Sequence, residues 1–166
     1  MITPAYCVTL AQYNQWQNNS LREHVDAMNE ADLRADRGLF FGSILATLDH
    51  IMWADLLWLN RLDDRFAVPT FPDKDAVISV SDWSNDRQAL DSQIVEWAKS
   101  LTDADMVGDV VWESKIYGKT FTNDRGLAIT HMFNHQTHHR GQVHAMLTKE
   151  GLKAPVSDLF AMPEDV

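Results

Sequence analysis

Five of the seven histidines fall between positions 131 and 144, in the run HMFNHQTHHRGQVH. Neutral imidazole is a common ligand for divalent transition metals, so such a cluster asks first for a metal site. On an α-helix, positions four apart share a face with Cβ atoms about 6 Å from each other. His131/His135 and His135/His139 are therefore two pairs that can each aim at one ion. The apolar residues arbitrate between them. Met132, Phe133, Val143, Met146 and Leu147 mark the side turned to the interior. His139 and then His135 fall at the edge of that side, and His131 lies further round. His138 lies further still toward solvent, and His144 projects away from the others. His135 with His139 is the better pair, and His131 is a neighbour or outer partner.

Two imidazoles alone rarely hold a metal, so a third ligand should come from a facing helix. His50 sits in the middle of SILATLDHIMWADLLWLNRL, a stretch apolar on nearly every side. A helix of that kind is buried, and a buried imidazole costs free energy unless something bonds it. His50, His135 and His139 thus form the candidate metal set. Three ligands leave coordination positions open, as in catalytic rather than closed structural sites. The competing interpretation is a polar helix face that is merely rich in histidine, for which removing metal would change nothing.

No nucleophile or general base stands beside these residues in sequence, so any chemistry rests on the metal. Several others carry weaker expectations. Asp55, on the mostly apolar helix, needs a partner: it orients a ligand or, more simply, pairs with Arg61 or Arg140. Asn14 reaches the site from the first helix or bridges helices. Arg140 faces away from the metal pair and serves packing, an ion pair or a dimer contact. Gly141 permits close helix approach, Gln142 contacts a water near the ligands, and Glu113 is a pocket acid. The tryptophans, Trp53, Trp58 and Trp112 among them, read as core and dimer contacts, with one or two lining a pocket.

Four long amphipathic helices must position these groups. The first covers about residues 4–28, opened by Thr3 and Pro4, since proline suits a first helical turn. Residues 26–38 are charged and read as a connection. The second helix opens at Gly42 and Ser43 and runs to Leu62. Residues 65–81, with Pro69 and Pro72, form a long surface crossover. The third helix runs from Ser81 and Asp82 to about Leu101. Between residues 106 and 123 the pattern alternates through Val110, Trp112, Ile116 and Phe121, a short β-hairpin turning at Tyr117, Gly118 and Lys119. The fourth helix starts near Thr122 or Asn123 and stops at Gly151. Residues 152–166, with two prolines, form an irregular strap. The expected fold is all-α: one four-helix domain over residues 1–166, with a hairpin before the last helix.

Composition narrows the partners. The 166 residues carry 24 acidic side chains against 14 basic ones, a net charge of −10. No two basic residues are adjacent, which argues against nucleic acid or an anionic membrane surface. Cys7 is the single cysteine, so no disulfide framework and no cysteine metal site are expected; it reads as a small core residue. The first residues lack the basic start of a signal peptide, and no 18-residue apolar run exists to span a membrane. The cytoplasm is the expected setting.

The segment NHQTHHRGQV (134–143) resembles the signature of the DinB/YfiT-like superfamily of metal-dependent proteins. YNQW (13–16) and LDHIMWADLLWLNRL (48–62) resemble its first and second helices, in the expected order. The resemblance implies a bundle of the up-up-down-down type, usually a homodimer, with a three-histidine metal site. Its ligands land on His50, His135 and His139. It implies one divalent transition metal, with zinc, nickel, iron and manganese all in use across the superfamily; imidazole ligands suit all of them. Relatives of known chemistry use small thiols, so the implied activity is that of a metal-dependent thiol S-transferase. A non-catalytic metal-binding or stress-response module is the alternative.

Overall fold

The computed structural model describes residues 2–70, 78–114 and 117–164. Pro72 of the crossover and Ile116 of the hairpin lie outside the described residues. Among these residues there are five helices and one two-stranded sheet: α1 (Pro4–Ala27), α2 (Glu30–Arg34), α3 (Ile44–Leu62), α4 (Val80–Ser100), β1 (Asp109–Ser114), β2 (Lys119–Asp124) and α5 (Arg125–Lys149). Short 3-10 turns at Asp103–Met106 and Leu159–Ala161 complete it.

Each long helix begins where a short polar side chain satisfies a free backbone N–H. Thr3 accepts from Tyr6 N, Ser43 from Ala46 N, Ser79 from Asp82 N and Asp124 from Leu127 N. The last helix therefore starts at Arg125, slightly later than the sequence pattern suggests. Residues 119–124 belong to β2, where Asn123 pairs with Val110 and Asp124 with Asp109. The connection after α1 also holds a short helix, α2, whose single buried residue is Leu33.

Side-chain contacts give the helix directions. Tyr6 packs on Phe133 and Arg140 bonds Asn14, so α1 and α5 run the same way. Asn18 meets Asp91 while Arg22 meets Ser84, so α4 runs opposite to α1. His50 faces His135 while Trp58 faces His131, so α3 runs opposite to α5. Two helices point up and two down, the parallel pairs being α5 with α1 and α3 with α4. In chain order the bundle reads up-down-down-up, one step round from the implied up-up-down-down. Because α3 and α4 run the same way, the chain crosses from one end of the bundle to the other between Leu62 and Val80.

The apolar core is shared by all four long helices, with Trp83, Ile94, Ile44, Leu48, Ile51, Ile129, Met132 and Phe133 fully buried. Cys7 is buried among them, beside the Met106 sulfur. The tail lies along α1 as a strap. Tyr13 Oη donates to Ser157 O at 2.6 Å and Gln17 Nε2 to Val156 O at 2.8 Å. Gly141 does not serve a close helix contact: it is exposed, and a Cβ there would meet nothing within 4 Å. The close approach is at Gly126, where a Cβ would lie 3.2 Å from both Met106 O and Asp124 Oδ1.

Candidate metal centre

Antiparallel packing of α3 on α5 brings His50 level with His135 and His139. His50 Nε2 lies 3.2 Å from His135 Nε2, and His139 Nε2 lies 3.1 Å from the same atom. One ring nitrogen from each residue falls within 4.8 Å of the others. Metal–nitrogen bonds of about 2.0–2.1 Å set ligand nitrogens roughly 2.9–3.4 Å apart in octahedral or tetrahedral geometry. The two measured spacings fall in that range.

Hydrogen bonding among the three rings cannot account for the arrangement. Gln142 Oε1 sits 2.7 Å from His139 Nδ1, and an amide oxygen only accepts, so the proton of neutral His139 is on Nδ1. Its Nε2 then presents a lone pair. For a hydrogen bond, His135 Nε2 must donate to it, and the same atom cannot also accept from His50. One full hydrogen bond is the most that the three nitrogens can share, whereas one cation satisfies three lone pairs. His135 Nδ1 is itself buried with no hydrogen-bond partner.

The electrostatics keep these lone pairs available. Burial, and then the neighbouring His139, pushes His50 down to about 4. Burial pushes His135 down to about 3, with His139 and His50 adding to the effect. His139 is lowered as well, chiefly by burial. All three are neutral at pH 7, the form that ligates metal.

An aromatic wall closes one side. Phe41 stacks on His50 with ring centroids 3.9 Å apart and meets His139 edge-on at 5.4 Å. The turn that presents it closes through Gly42 N to Leu39 O at 2.8 Å, with Gly42 at a φ of 77° that only glycine takes readily. Composition gave no reason to single out Phe41; the one signal is the Phe-Phe pair just before the α3 cap. His131 stands outside the cluster, 5.8 Å from His135 ring to ring and edge-on to Trp58. His138 is exposed beside His139.

Beneath the histidines lies a buried polar network. Arg87 on α4 donates to Asp55 Oδ2 at 2.7 Å and to Asp91 Oδ1 at 2.8 Å. Asp55 Oδ1 accepts from Gln136 Nε2 at 2.8 Å. Asn18 donates to Asp91 at 2.9 Å, and Asn14 bridges Asp91 and Arg140. Asp55 thus pairs with neither Arg61 nor Arg140, and it bonds no histidine. Burial pushes its carboxyl up to about 6 against the opposing pull of Arg87 and Gln136. Arg140 is buried, which rules out a dimer contact for its side chain; burial lowers it to about 10. Gln142 contacts His139 directly, and Glu113 lies exposed on β1 at the rim of a separate cavity.

The DinB family model matches residues 1–165. The chain belongs to the DinB family. A crystal structure of a DinB-like protein from Bacillus cereus ATCC 10987 superposes with a TM-score of 0.63 at 18% sequence identity, covering 85% of this chain and 90% of that one. That likeness establishes the shared DinB fold. No curated protein matches the chain. No helix of the described residues is long and apolar enough to cross a membrane.

Within this site, Gln142 is the residue that fixes the tautomer of His139. Removing such partners typically costs about 10–100-fold in metal affinity. Gln142→Ala is expected to weaken metal binding by that order while leaving one metal per chain. Competition titration against a chelator of known affinity measures it.

Proposed function

We propose that His50, His135 and His139 hold one divalent transition metal and that the protein is a metal-dependent enzyme acting on a small thiol. The convergence of three neutral imidazole nitrogens, too many for the hydrogens available between them, carries the first half of this reading. The second half rests on family membership and on the open coordination positions of a three-ligand set. A divalent metal bound there would lower the pKa of a coordinated thiol and so supply a thiolate at neutral pH. The chain's own residues do the rest. Gln142 holds His139 in the tautomer that faces the centre, Phe41 covers His50 from water, and the apolar face of α3 keeps the surroundings dry. The same reading includes a cytoplasmic homodimer, which sedimentation of the untagged chain would test.

Cobalt(II) substitution tests the proposal. The metal-free protein should take up one Co(II) per chain with visible ligand-field bands. A small thiol should then add a sulfur-to-cobalt charge-transfer band in the near ultraviolet. Stoichiometric uptake without any response to thiol would remove the thiol chemistry and leave the metal site. No uptake would remove both.

A further inference from the structure

A cavity of about 440 Å³ opens between α3 and the hairpin, walled in part by Trp53, Leu57, Val68 and Trp112 and holding Arg61 and Glu113. Of its walls, Trp53 is the one that neighbours a histidine, its ring centroid 6.2 Å from that of His50. His50, Trp53, Leu57 and Arg61 recur three or four residues apart and share one face of α3. Eleven residues separate His50 from Arg61, about 16 Å along the helix axis at 1.5 Å per residue. Side chains on a helix lean toward its N-terminus, so Arg61 leans toward His50.

Arg61 is the unusual member. Its guanidinium sits 3.9 Å from the Trp112 ring centroid and 4.5 Å from that of Trp58. Trp112 is held in turn by Phe121 stacked at 4.7 Å and by its indole N–H donating to Asn123 Oδ1 at 2.9 Å. Two tryptophans thus fix the plane of the guanidinium. Yet among the described residues no carboxylate forms an ion pair with Arg61, and no hydrogen bond engages its N–H groups. The other half-buried or buried arginines differ: Arg87 has two carboxylates, Arg37 has Glu150, Arg125 donates to two carbonyls, Arg22 donates to Ser84 and Asn19, and Arg140 donates to Asn14. Partial burial pulls Arg61 down to about 10, with no acid close enough to offset it. It stays charged at neutral pH, with its donors directed by a rigid stack and no anion supplied by the described chain.

We infer that Arg61 is the anion-binding end of this cavity, which takes a mostly apolar small molecule ending in a carboxylate. The planar fork of arginine suits a carboxylate or a phosphate. Glu113 on the same wall disfavours a second negative charge, which selects the singly charged carboxylate. Trp53 and Leu57 line the apolar middle. Nothing at the Arg61 end depends on the function proposed above.

The test uses the full chain without metal, and octanoate with its neutral counterpart octanamide as probes, followed by calorimetry and tryptophan fluorescence. Octanoate should bind about tenfold or more tightly than octanamide, the scale of a charged hydrogen bond. Arg61→Met should reduce that preference to about twofold or less with metal uptake unchanged. Glu113→Gln should act in the opposite direction, tightening octanoate several-fold and leaving octanamide unaffected; it also decides the matter if Arg61→Met fails to fold. Equal binding of the two probes overturns the inference, as does a preference that survives Arg61→Met or no saturation below roughly 10 mM. His135→Ala separates the two readings: octanoate selectivity should persist in it even where metal binding is gone.

Discussion

His135→Ala is expected to abolish stoichiometric metal binding without weakening the metal-free protein. His135 Nε2 is the atom that both other ring nitrogens approach, at 3.1 and 3.2 Å. Removing an outer partner of a ligand costs about 10–100-fold in affinity, so removing this ligand should cost at least about 100-fold. Plasma emission spectrometry of untagged protein should find one metal per chain in the wild type and none in the variant. Saturating metal should raise the wild-type melting temperature, since a ligand at a hundred times its Kd contributes about 2.7 kcal/mol. That rise should vanish in the variant. The metal-free comparison sets this reading against one in which the histidines merely hydrogen-bond. If they served only the fold, His135→Ala would leave polar partners unpaired and lower the melting temperature with or without metal. Under the metal reading, His135 brings a buried Nδ1 with no partner and a doubly claimed Nε2, so its loss is close to neutral. His138→Ala and His144→Ala serve as controls that should keep the metal.

The spacing of the histidines carried much of this site in the sequence, because a fixed four-residue repeat on a helix translates directly into a shared face. His50 was legible for a different reason: an imidazole amid Ile51, Met52 and Ala54 cannot go unexplained. The bundle's long helices followed from apolar periodicity of the same kind. Shorter features escaped. Five-residue α2 offers only Leu33 to bury, too little to set a period. The start of α5 blurred because Thr122 and Asn123 are paired in β2, and strand and helix patterns overlap there. Partners across the bundle were least legible of all. Asp55 announced its need for a cation, yet nothing local distinguishes Arg87 from Arg61 or Arg140 as the one that reaches it. The directions of α3 and α4 decide that choice. Arg87 and Asp91, four apart on α4, stood out in no sequence pattern and are both 1% exposed in the fold. Phe41 contributes to the site only through a glycine turn, a conformational fact that residue type does not reveal.

Arg87→Met should be among the most damaging substitutions in the chain. Arg87 is the cation between two buried carboxylates, Asp55 and Asp91, contributed by α3 and α4. Replacing a buried ion pair as a whole with apolar residues is often tolerated, but removing one partner strands the other charge in a dry interior. That typically costs about 3–5 kcal/mol, and here two carboxylates are stranded, since Arg140 acts on them only at a distance and bonds Asn14 rather than either acid. Against a total stability of roughly 5–15 kcal/mol, such a loss should lower the melting temperature by on the order of 6–20 °C. Asp55→Asn should cost less, near 1–2 kcal/mol, because the amide oxygen still accepts from Arg87, its NH2 can donate to Gln136 once that amide turns over, and Arg87 stays paired with Asp91. Equal losses in the two variants would contradict the assignment of Arg87 as the shared counterion. The network also reaches the histidine cluster, since Gln136, held by Asp55, neighbours His135 on α5. Metal should therefore rescue Arg87→Met by fewer degrees than it stabilises the wild type. A rescue equal to the wild-type shift would confine the network to holding four helices together, with no part in aiming His135.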